Sequence, residues 1–371
     1  MTKPLALIVG SINDIAPVKY LIESFNTIGW DCFVVSDKKS PLANFHKYGA
    51  VDVSKIVIKN QLEPAFLLFV EGGEMGIFPT HFEKLACPSL WWGIDTHNNY
   101  EKHLRISTLF DHSLIAQKSY VQRLHQDGIH SVSWFPLASP IAQESDADRE
   151  IDMSYVGSTN WDLYPQRGVL LKTVADNVPN SVIGQQSAAE MLKTYQHSRM
   201  VFNNSLKNDI NMRIFEAMGA GAALLTNPIT DNGMEDLFID GEEYVSYKDA
   251  TDLREKILNL LANADLLTAI AHSGMKKVHQ FHTYKVRAQQ ITDLVKNGVT
   301  KSTYSRFQEA GALVSMGMLS DATKSFSYAL REDAKGMRAK LAYWVLASVL
   351  MLAASAARLV EKAALARRLF S

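Results

Sequence analysis

The first part of the chain alternates short apolar runs with segments whose apolar residues recur at helical spacing. Apolar runs separated by helical patterns are typical of βαβ units in a parallel sheet, and strands that are apolar throughout indicate a sheet covered on both faces. Residues 1–141 are therefore predicted to form a Rossmann-like α/β domain. The predicted strands lie in PLALIVG, DCFVVSD, AFLLFVEGG, SLWWGID, HSLIAQ and SVSWFPLA.

A polar stretch, AQESDADREID at residues 142–152, interrupts this pattern and is the predicted linker. The alternation then restarts, with strands predicted in MSYVGS, SVIG, RMVFNN and AALLT and amphipathic helices between and after them. Residues 150–297 are predicted to form a second Rossmann-like domain. Two doubly wound domains in tandem would face each other across a cleft.

Residues 300–371 have a purely helical pattern. Small and aromatic residues at positions 317, 322, 326 and 329 (Gly, Ala, Phe and Ala) match the spacing of a tetratricopeptide repeat. The segment 341–357 has no charge over 17 residues, which is shorter than the roughly 20 that a membrane span needs. A buried hairpin helix is favoured, and an interfacial or self-associating helix is the alternative.

Composition excludes several classes of function. The 371 residues are 47% hydrophobic and 21% charged, with a net charge of -1, so no positive field attracts nucleic acid. The two cysteines, Cys32 and Cys87, form no CxxC pair, and no metal site is predicted. A reducing compartment, the cytoplasm, is expected. The pattern GxGxxG is missing, which argues against a nicotinamide dehydrogenase.

The segment NMRIFEAMGAGAALLTN, residues 211–227, combines a short helix with a following strand. Asp209 or Asn211 can cap this helix, and glycines at 219 and 221 end it. In an open parallel sheet, ligands bind beyond the carboxyl ends of the strands, where the helix start lies. Its amide groups and Arg213 favour a phosphate there.

Glu216 lies one turn further along the same helix. A carboxylate there would repel phosphate, but it can accept hydrogen bonds from two neighbouring hydroxyl groups of a ribose. The segment therefore predicts a nucleotide pocket. The alternative is an exposed glutamate on an amphipathic helix, with the glycines serving only as a cap.

These residues, with DMSYVGSTNWDLYPQRGVLL before them and HTYKVRAQQI after them, resemble the C-terminal domain of GT-B glycosyltransferases. The resemblance is closest to a bacterial family related to spore-maturation glycosyltransferases. It covers residues 150–297 well and implies a GT-B fold, a nucleotide-sugar donor linked to UDP, GDP or dTDP, and no other cofactor. Transfer without a metal is also implied.

The resemblance implies further donor-binding residues. Gly157 and Ser158 match a loop under the diphosphate, and Arg167 matches a basic residue that neutralises phosphates. Thr226 and Asn227 end a strand and are expected to face the cleft. Without the resemblance, the glycine loop would be an ordinary turn and Arg167 a solvated helix residue.

The resemblance also contains a departure. Many retaining members carry a second glutamate where this chain has Asn208, which leaves retention or inversion open. A further donor-side loop matches Asn232, Gly233 and Glu235, although Glu235 can instead favour the start of a helix.

Acceptor activation is assigned to the first domain. Asp95 and His97 follow a predicted strand, so either can reach the cleft as general base, with helix capping by Asp95 as the alternative. Glu71 follows another strand, and Gly10 and Ser11 follow the first, forming an acceptor-side loop. Trp91 and Trp92 are expected to pack in the core rather than stack on a sugar.

The leading interpretation is a glycosyltransferase that moves a sugar from a nucleotide to a protein or glycan acceptor. A sugar-nucleotide epimerase of the same fold is one alternative. A non-catalytic scaffold that binds nucleotide sugars is another. The helical tail would dock a protein partner or a second copy of the chain, and membrane association is not favoured.

Overall fold

The computed structural model describes residues 3–13, 17–73, 75–141, 143–145, 147–160 and 162–333. The predicted apolar helix at 341–357 lies outside the described residues, as does the end of the helical tail. No helix in the described ranges has the length and apolar character needed to cross a bilayer.

A seven-stranded parallel sheet forms the first lobe, with the strand order β3-β2-β1-β5-β7-β8-β9. A separate parallel pair, β4-β6, lies beside it. The strands are β1 (Leu5–Val9), β2 (Asp31–Ser36), β3 (Phe45–His46), β4 (Gly49–Asp52), β5 (Pro64–Val70), β6 (Ile77–Thr80), β7 (Ser89–Gly93), β8 (His112–Ile115) and β9 (Val132–Trp134).

Helices cover both faces of this sheet, as its apolar strands predict. They are α1 (Pro17–Thr27), α2 (Val53–Lys59), α3 (Thr96–Ser107) and α4 (Lys118–Gln126), with a 3₁₀ turn at Phe82–Lys84. Trp91 and Trp92 are fully buried on opposite faces of β7, and the indole of Trp92 donates to the carbonyl of Phe135 at 3.0 Å. The prediction that both tryptophans pack in the core is confirmed.

The second lobe contains a five-stranded parallel sheet in the order β11-β10-β12-β13-β14. Its strands are β10 (Ile151–Val156), β11 (Ser181–Gly184), β12 (Ser198–Phe202), β13 (Ala223–Thr226) and β14 (Val245–Ser246). Its helices are α5 (Pro165–Asn177), α6 (Ala188–Gln196), α7 (Met212–Gly219), α8 (Met234–Leu237), α9 (Ala250–Ala262) and α10 (Ala264–Phe281). The prediction of two parallel α/β sheets is confirmed, although the predicted linker ends where β10 begins.

The chain then returns to the first lobe. Helix α11 (Tyr284–Lys296) packs against α1, and the rings of Tyr20 and Tyr284 lie 5.2 Å apart. Buried Arg287 of α11 donates to the carbonyl oxygens of Pro136 and Leu137 at 2.8 and 3.2 Å. The lobes are therefore joined at this end by a packed helix as well as by the connecting chain.

The described part of the helical tail also packs on the first lobe. Helices α12 (Arg306–Ser315) and α13 (Leu319–Asp333) form a hairpin, and Gly317 in its turn has a φ of 73°. The Arg306 guanidinium forms ion pairs with Glu83 and Glu309. The hairpin fits the predicted helical pattern; the tetratricopeptide interpretation stays a prediction.

The glycines after Glu216 allow two segments to pass closely. A Cβ at Gly219 would overlap the hydroxyl of Ser139 and lie 2.9 Å from the Ser139 Cβ. Ser139 belongs to the connection between the lobes, where it pairs with Thr283. Gly221 has a φ of 78°, so it is the residue that supplies the turn conformation, whereas Gly219 supplies space.

Gly219→Ala should lower the free energy of unfolding by about 1–3 kcal/mol because the new methyl group forces Ser139 aside. Urea unfolding measures this change. Gly184→Ala is the matched control: a Cβ there meets nothing within 4 Å, so a change within about 0.5 kcal/mol is expected. Equal stability of the two variants would contradict the close-approach role of Gly219.

Candidate functional site

The two sheets direct their carboxyl ends toward a shared cavity of about 840 Å³. This volume is within the range of small-molecule sites, which is roughly 300–1,000 Å³. The cavity walls come from the ends of β5 and β7 in the first lobe and from β10, β12 and the start of α7 in the second. The sequence-predicted residues that line it are Glu71, Asp95, His97, Gly157, Ser158, Arg167, Asn211, Arg213 and Glu216.

Glu216 is 3% exposed, and its Oε1 atom has no hydrogen-bond partner. The apolar face of α7 packs in the core around it, which fixes the position of the carboxylate at the cavity wall. Burial raises the pKa of Glu216 to about 7, while the nearby Arg213 charge opposes the rise. An exposed surface glutamate, the alternative interpretation, is therefore excluded.

Arg213 is held by protein groups on every side. Its Nη2 and Nη1 atoms donate to the carbonyl of Val156 at 2.8 Å and to Asn203 Oδ1 at 2.9 Å. Its Nε lies 3.2 Å from the hydroxyl of Tyr195. A Cβ at Gly157 would overlap Arg213 Nη2, so the glycine makes room for the guanidinium. A phosphate contact by Arg213 stays a prediction, because its nitrogens already have partners.

Arg167 has a more available guanidinium. It lies in the first turn of α5, where its Nη2 donates to the carbonyl of Asn204 at 3.3 Å, but its buried Nε has no partner. Its guanidinium carbon is 4.6 Å from the centre of the Tyr164 ring, which helps to hold it in place. Ser158 lies nearby at the cavity wall.

Among the described residues, four buried side-chain atoms without hydrogen-bond partners belong to residues that line this cavity. They are His97 Nδ1, Arg167 Nε, Asn211 Oδ1 and Glu216 Oε1. Buried polar groups in native proteins are normally paired, and each unpaired one costs roughly 1–3 kcal/mol. Their convergence indicates that the cavity is built to hold a polar ligand.

A second group of titratable side chains lies on the first-lobe side of the cavity. Burial and the charges of Glu71 and Asp209 raise the pKa of Asp95 to about 6, against the effects of His97 and His103. His97 Nδ1 lies 3.9 Å from Asp209 Oδ1, which belongs to the second lobe. Burial also raises the pKa of Asp209 above its usual range.

Glu71 is 1% exposed and organises the loop that carries Asp95. Its Oε2 accepts from the amides of Ile94 and Asp95 at 2.5 and 2.8 Å, and its Oε1 lies 3.1 Å from His103 Nε2. Burial acts to raise the pKa of Glu71, but these groups outweigh it and hold the pKa below its usual range. Both of its oxygens are engaged, so it supports the loop.

Four predicted site residues do not line the cavity. Gly10 and Ser11 are not among the residues that line the cavity, and a Cβ at Gly10 would lie 2.8 Å from Val18 Cγ2 and 3.0 Å from the Val70 carbonyl oxygen. Asn203 Nδ2 donates a hydrogen bond to Thr226 Oγ1. Asn227 Oδ1 accepts from the Ser205 amide, and Asn227 Nδ2 donates to the Ser205 carbonyl. Thr226 and Asn227 therefore brace the chain after β12, and their contact with a donor stays a prediction.

The loop with Asn232 and Gly233 joins the lobes instead of lining the donor side. Asn232 Oδ1 accepts from the backbone and hydroxyl of Ser119 at 3.2 Å, and a Cβ at Gly233 would lie 2.6 Å from Trp134. Glu235 is exposed in the first turn of α8, where an acidic side chain favours the start of a helix, as the alternative interpretation predicts.

The start of α7 also differs from the prediction. Asn211 occupies the N-cap position but makes no side-chain capping bond. Its Nδ2 donates to Asn203 at 3.2 Å, and Asp209 is directed to the first lobe. Neither predicted cap therefore covers the first-turn amides of α7 through its side chain.

Two of the residues that connect the lobes are not among the predicted site residues. Gln117 links the two lobes, and Lys207 reaches the first-lobe residue Asn98 at 2.7 Å. Gln117 follows β8, so it occupies the same kind of strand-end position on which the prediction of Glu71 and Asp95 was based. No sequence signal marks Lys207, which has an unusual φ of 52° in the loop after β12.

One comparison with known proteins matches a segment that spans the second lobe. Residues 141–293 match the sequence profile of a family described as glycosyl transferase-like. No curated protein sequence matches the chain.

Solved structures show the same fold. Sucrose-phosphate synthase from Thermosynechococcus elongatus is 13% identical, with a TM-score of 0.57 over 80% of this chain and 99% of that one. HepE from Anabaena, in complex with UDP and glucose, is 10% identical, with a TM-score of 0.58 over 80% and 100%. The β-glucosyltransferase of phage T4 is 13% identical, with a TM-score of 0.51 over 78% and 99%. The predicted GT-B fold is confirmed.

Glu216→Gln should stabilise the free protein at high pH. Burial raises the Glu216 pKa from 4.5 to about 7, so the charged form costs stability above that pH, and the cost vanishes as the pH falls toward 4.5. The gain in the free energy of unfolding should reach about 3 kcal/mol at most above pH 7 and should be small at acid pH. Chemical denaturation across this pH range measures it.

Glu255→Gln is the matched control, because Glu255 is an exposed residue of helix α9. The effect of Glu255→Gln on the free energy of unfolding should stay the same over this pH range. A Glu216→Gln gain that is equal at acid and alkaline pH would contradict a buried, partnerless carboxylate.

Proposed function

We propose that the chain is a glycosyltransferase that uses a nucleotide-sugar donor bound in the cavity between its lobes. The observation that carries this proposal is the set of four partnerless buried polar atoms around the cavity, in a chain with a GT-B fold and a glycosyl transferase-like segment. The UDP and glucose bound to HepE, and the UDP-glucose bound to the same protein in a second complex, support this ligand class.

The arrangement suggests a division of roles. Glu216 would accept hydrogen bonds from the ribose hydroxyls, which satisfies its free oxygen. Arg167 Nε, with the start of α7, would contact the diphosphate and stabilise its charge as it leaves. Arg213 lies between these two positions, where its positive charge lowers the cost of keeping Glu216 ionised.

Asp95 and His97 are proposed as the acceptor-activating groups. Transfer to a hydroxyl needs a base that is unprotonated at the working pH, and a carboxylate with a pKa of about 6 meets that need near neutrality. Metal-independent transfer, a hexose as the sugar, a protein or glycan acceptor, and a relation to spore-maturation enzymes are parts of the proposal that rest on the sequence resemblance.

The scaffold alternative makes a different prediction for the same cavity. A non-catalytic protein would bind the nucleotide through Glu216 and Arg167 without needing Asp95 at a defined protonation state. The raised pKa of Asp95 beside Glu71 and Asp209 favours the enzyme, because that arrangement has no evident use in binding alone.

A thermal-shift panel of UDP, GDP, dTDP and their sugars tests donor binding. A ligand at 1,000 times its dissociation constant stabilises a protein by about 4 kcal/mol, so a true donor should raise the melting temperature clearly. Glu216→Ala should abolish the shift, and Arg167→Ala should weaken it most at low salt. Glu255→Ala should leave it unchanged. Absence of a shift with every nucleotide would refute the proposal.

The pH dependence of transfer tests the base. With the donor found in the panel, the rate should fall as the pH decreases through about 6, because Asp95 becomes protonated. Asp209→Asn removes a charge that raises the Asp95 pKa, so this fall should move to lower pH. Asp95→Asn should reduce kcat by about 10²–10⁴ and leave nucleotide binding intact.

Asp236→Asn is the control, because Asp236 forms another ion pair between the lobes, with Lys118, but is absent from the charges that act on Asp95. An unchanged pH profile of transfer in Asp209→Asn, or full activity in Asp95→Asn, would exclude Asp95 as the general base. The same profile in His97→Gln then shows whether His97 is the base.

A further inference from the structure

Hydrogen bonds from the buried residue Gln117 link one lobe to the other. This residue is 1% exposed and lies between β8 and α4. Its amide has two N–H groups and one carbonyl oxygen, and all of them are used. Nε2 donates to the carbonyl of Ile94 and, at 2.8 Å, to Asp209 Oδ1, while Oε1 accepts from the amide of Thr96 at 3.3 Å.

The first-lobe end of this link is the 94–98 loop, which contains Asp95 and His97. Glu71 holds the amides of Ile94 and Asp95, and Gln117 holds the carbonyl of Ile94 and the amide of Thr96. Asn99, just beyond the loop, has a non-helical φ of -131°, so the loop forms a turn separate from the rest of α3. Its conformation therefore depends on these two buried side chains.

The second-lobe end is the 203–211 loop, which contains Asp209. Asn227 holds the Ser205 backbone, and Asn232 donates to the carbonyl of Asn208 at 2.6 Å. Lys207 and Asn208 both have positive φ values, 52° and 57°, a backbone conformation that asparagine tolerates but that is uncommon for lysine. These hydrogen bonds hold the backbone of the loop in place, with Asp209 facing the first lobe.

We propose that Gln117 and Asp209 form a bridge that sets the 94–98 loop when the lobes close, which makes both of them positioning residues for Asp95 and His97. Because Gln117 is bonded to the loop and to Asp209 through one rigid amide, movement of either lobe is transmitted to the loop backbone. In this structure Asp209 Oδ1 also lies 3.9 Å from His97 Nδ1. This inference rests on the proposed function for the roles of Asp95 and His97, whereas the bridge itself does not.

Hydrogen exchange of the 94–98 amides in the full chain tests the bridge without any activity assay. Asp209→Ala removes the acceptor for Gln117 and should speed exchange in this loop about fivefold to tenfold, the effect of losing one hydrogen bond. Asp209→Asn keeps an acceptor oxygen, so exchange should stay within about twofold of the natural chain. Gln117→Leu should speed exchange at Thr96 at least as much as Asp209→Ala.

Asp236→Ala is the matched control, because Asp236 pairs with Lys118 across the same lobes but has no bond to the 94–98 loop. Exchange in the loop should be unchanged in this variant. The bridge would be refuted if Asp209→Ala left exchange unchanged, if Asp209→Asn were as fast as Asp209→Ala, or if Asp236→Ala gave the same acceleration. Failure of the proposed function would instead appear as no nucleotide shift in the natural chain.

Discussion

The carboxylate of Glu216 is buried beside the guanidinium of Arg213, with one oxygen left unpaired at the wall of the interlobe cavity. A buried carboxylate is costly unless hydrogen bonds satisfy it, and here the protein supplies a neighbouring charge but no donor for that oxygen. Arg213 cannot turn away to relieve it, because Val156, Asn203 and Tyr195 hold its nitrogens. A hydrogen-bond donor bound in the cavity would satisfy this oxygen, and the proposed sugar diol would supply two hydroxyl groups.

The rest of the second lobe serves this arrangement. Gly157 leaves room for Arg213, and Gly219 leaves room for the segment that connects the lobes at Ser139. Helix α11 returns to pack on α1, so the first lobe is held opposite Arg167 and Glu216. The cavity is thus formed by the carboxyl ends of two parallel sheets, and each sheet contributes a different chemistry: cationic groups and Glu216 on one side, Asp95 and His97 on the other.

Much of this could be predicted from sequence, because long apolar strands and amphipathic helices have clear periodicity. The short strands β3, β4, β6 and β14 were missed, since two to four residues carry too little pattern. Glu216 was selected by its place one turn into a short helix, which local spacing reveals, whereas Arg167 was selected by the family resemblance. The hydrogen-bond partners of Thr226 and Asn227 could not be predicted, because the direction of a side chain at a strand end depends on packing. The Gln117–Asp209 bond joins residues 92 positions apart in different lobes, which no local pattern can show.

The central claim is that the partnerless polar atoms of the cavity are completed by a nucleotide. A crystal structure of the chain with the nucleoside diphosphate that gives the largest thermal shift tests it most directly. Ribose hydroxyls are expected within hydrogen-bond distance of Glu216, and phosphate oxygens are expected at Arg167 Nε. A nucleotide bound elsewhere, or one in the cavity that leaves the Glu216 oxygen unpaired, would contradict it.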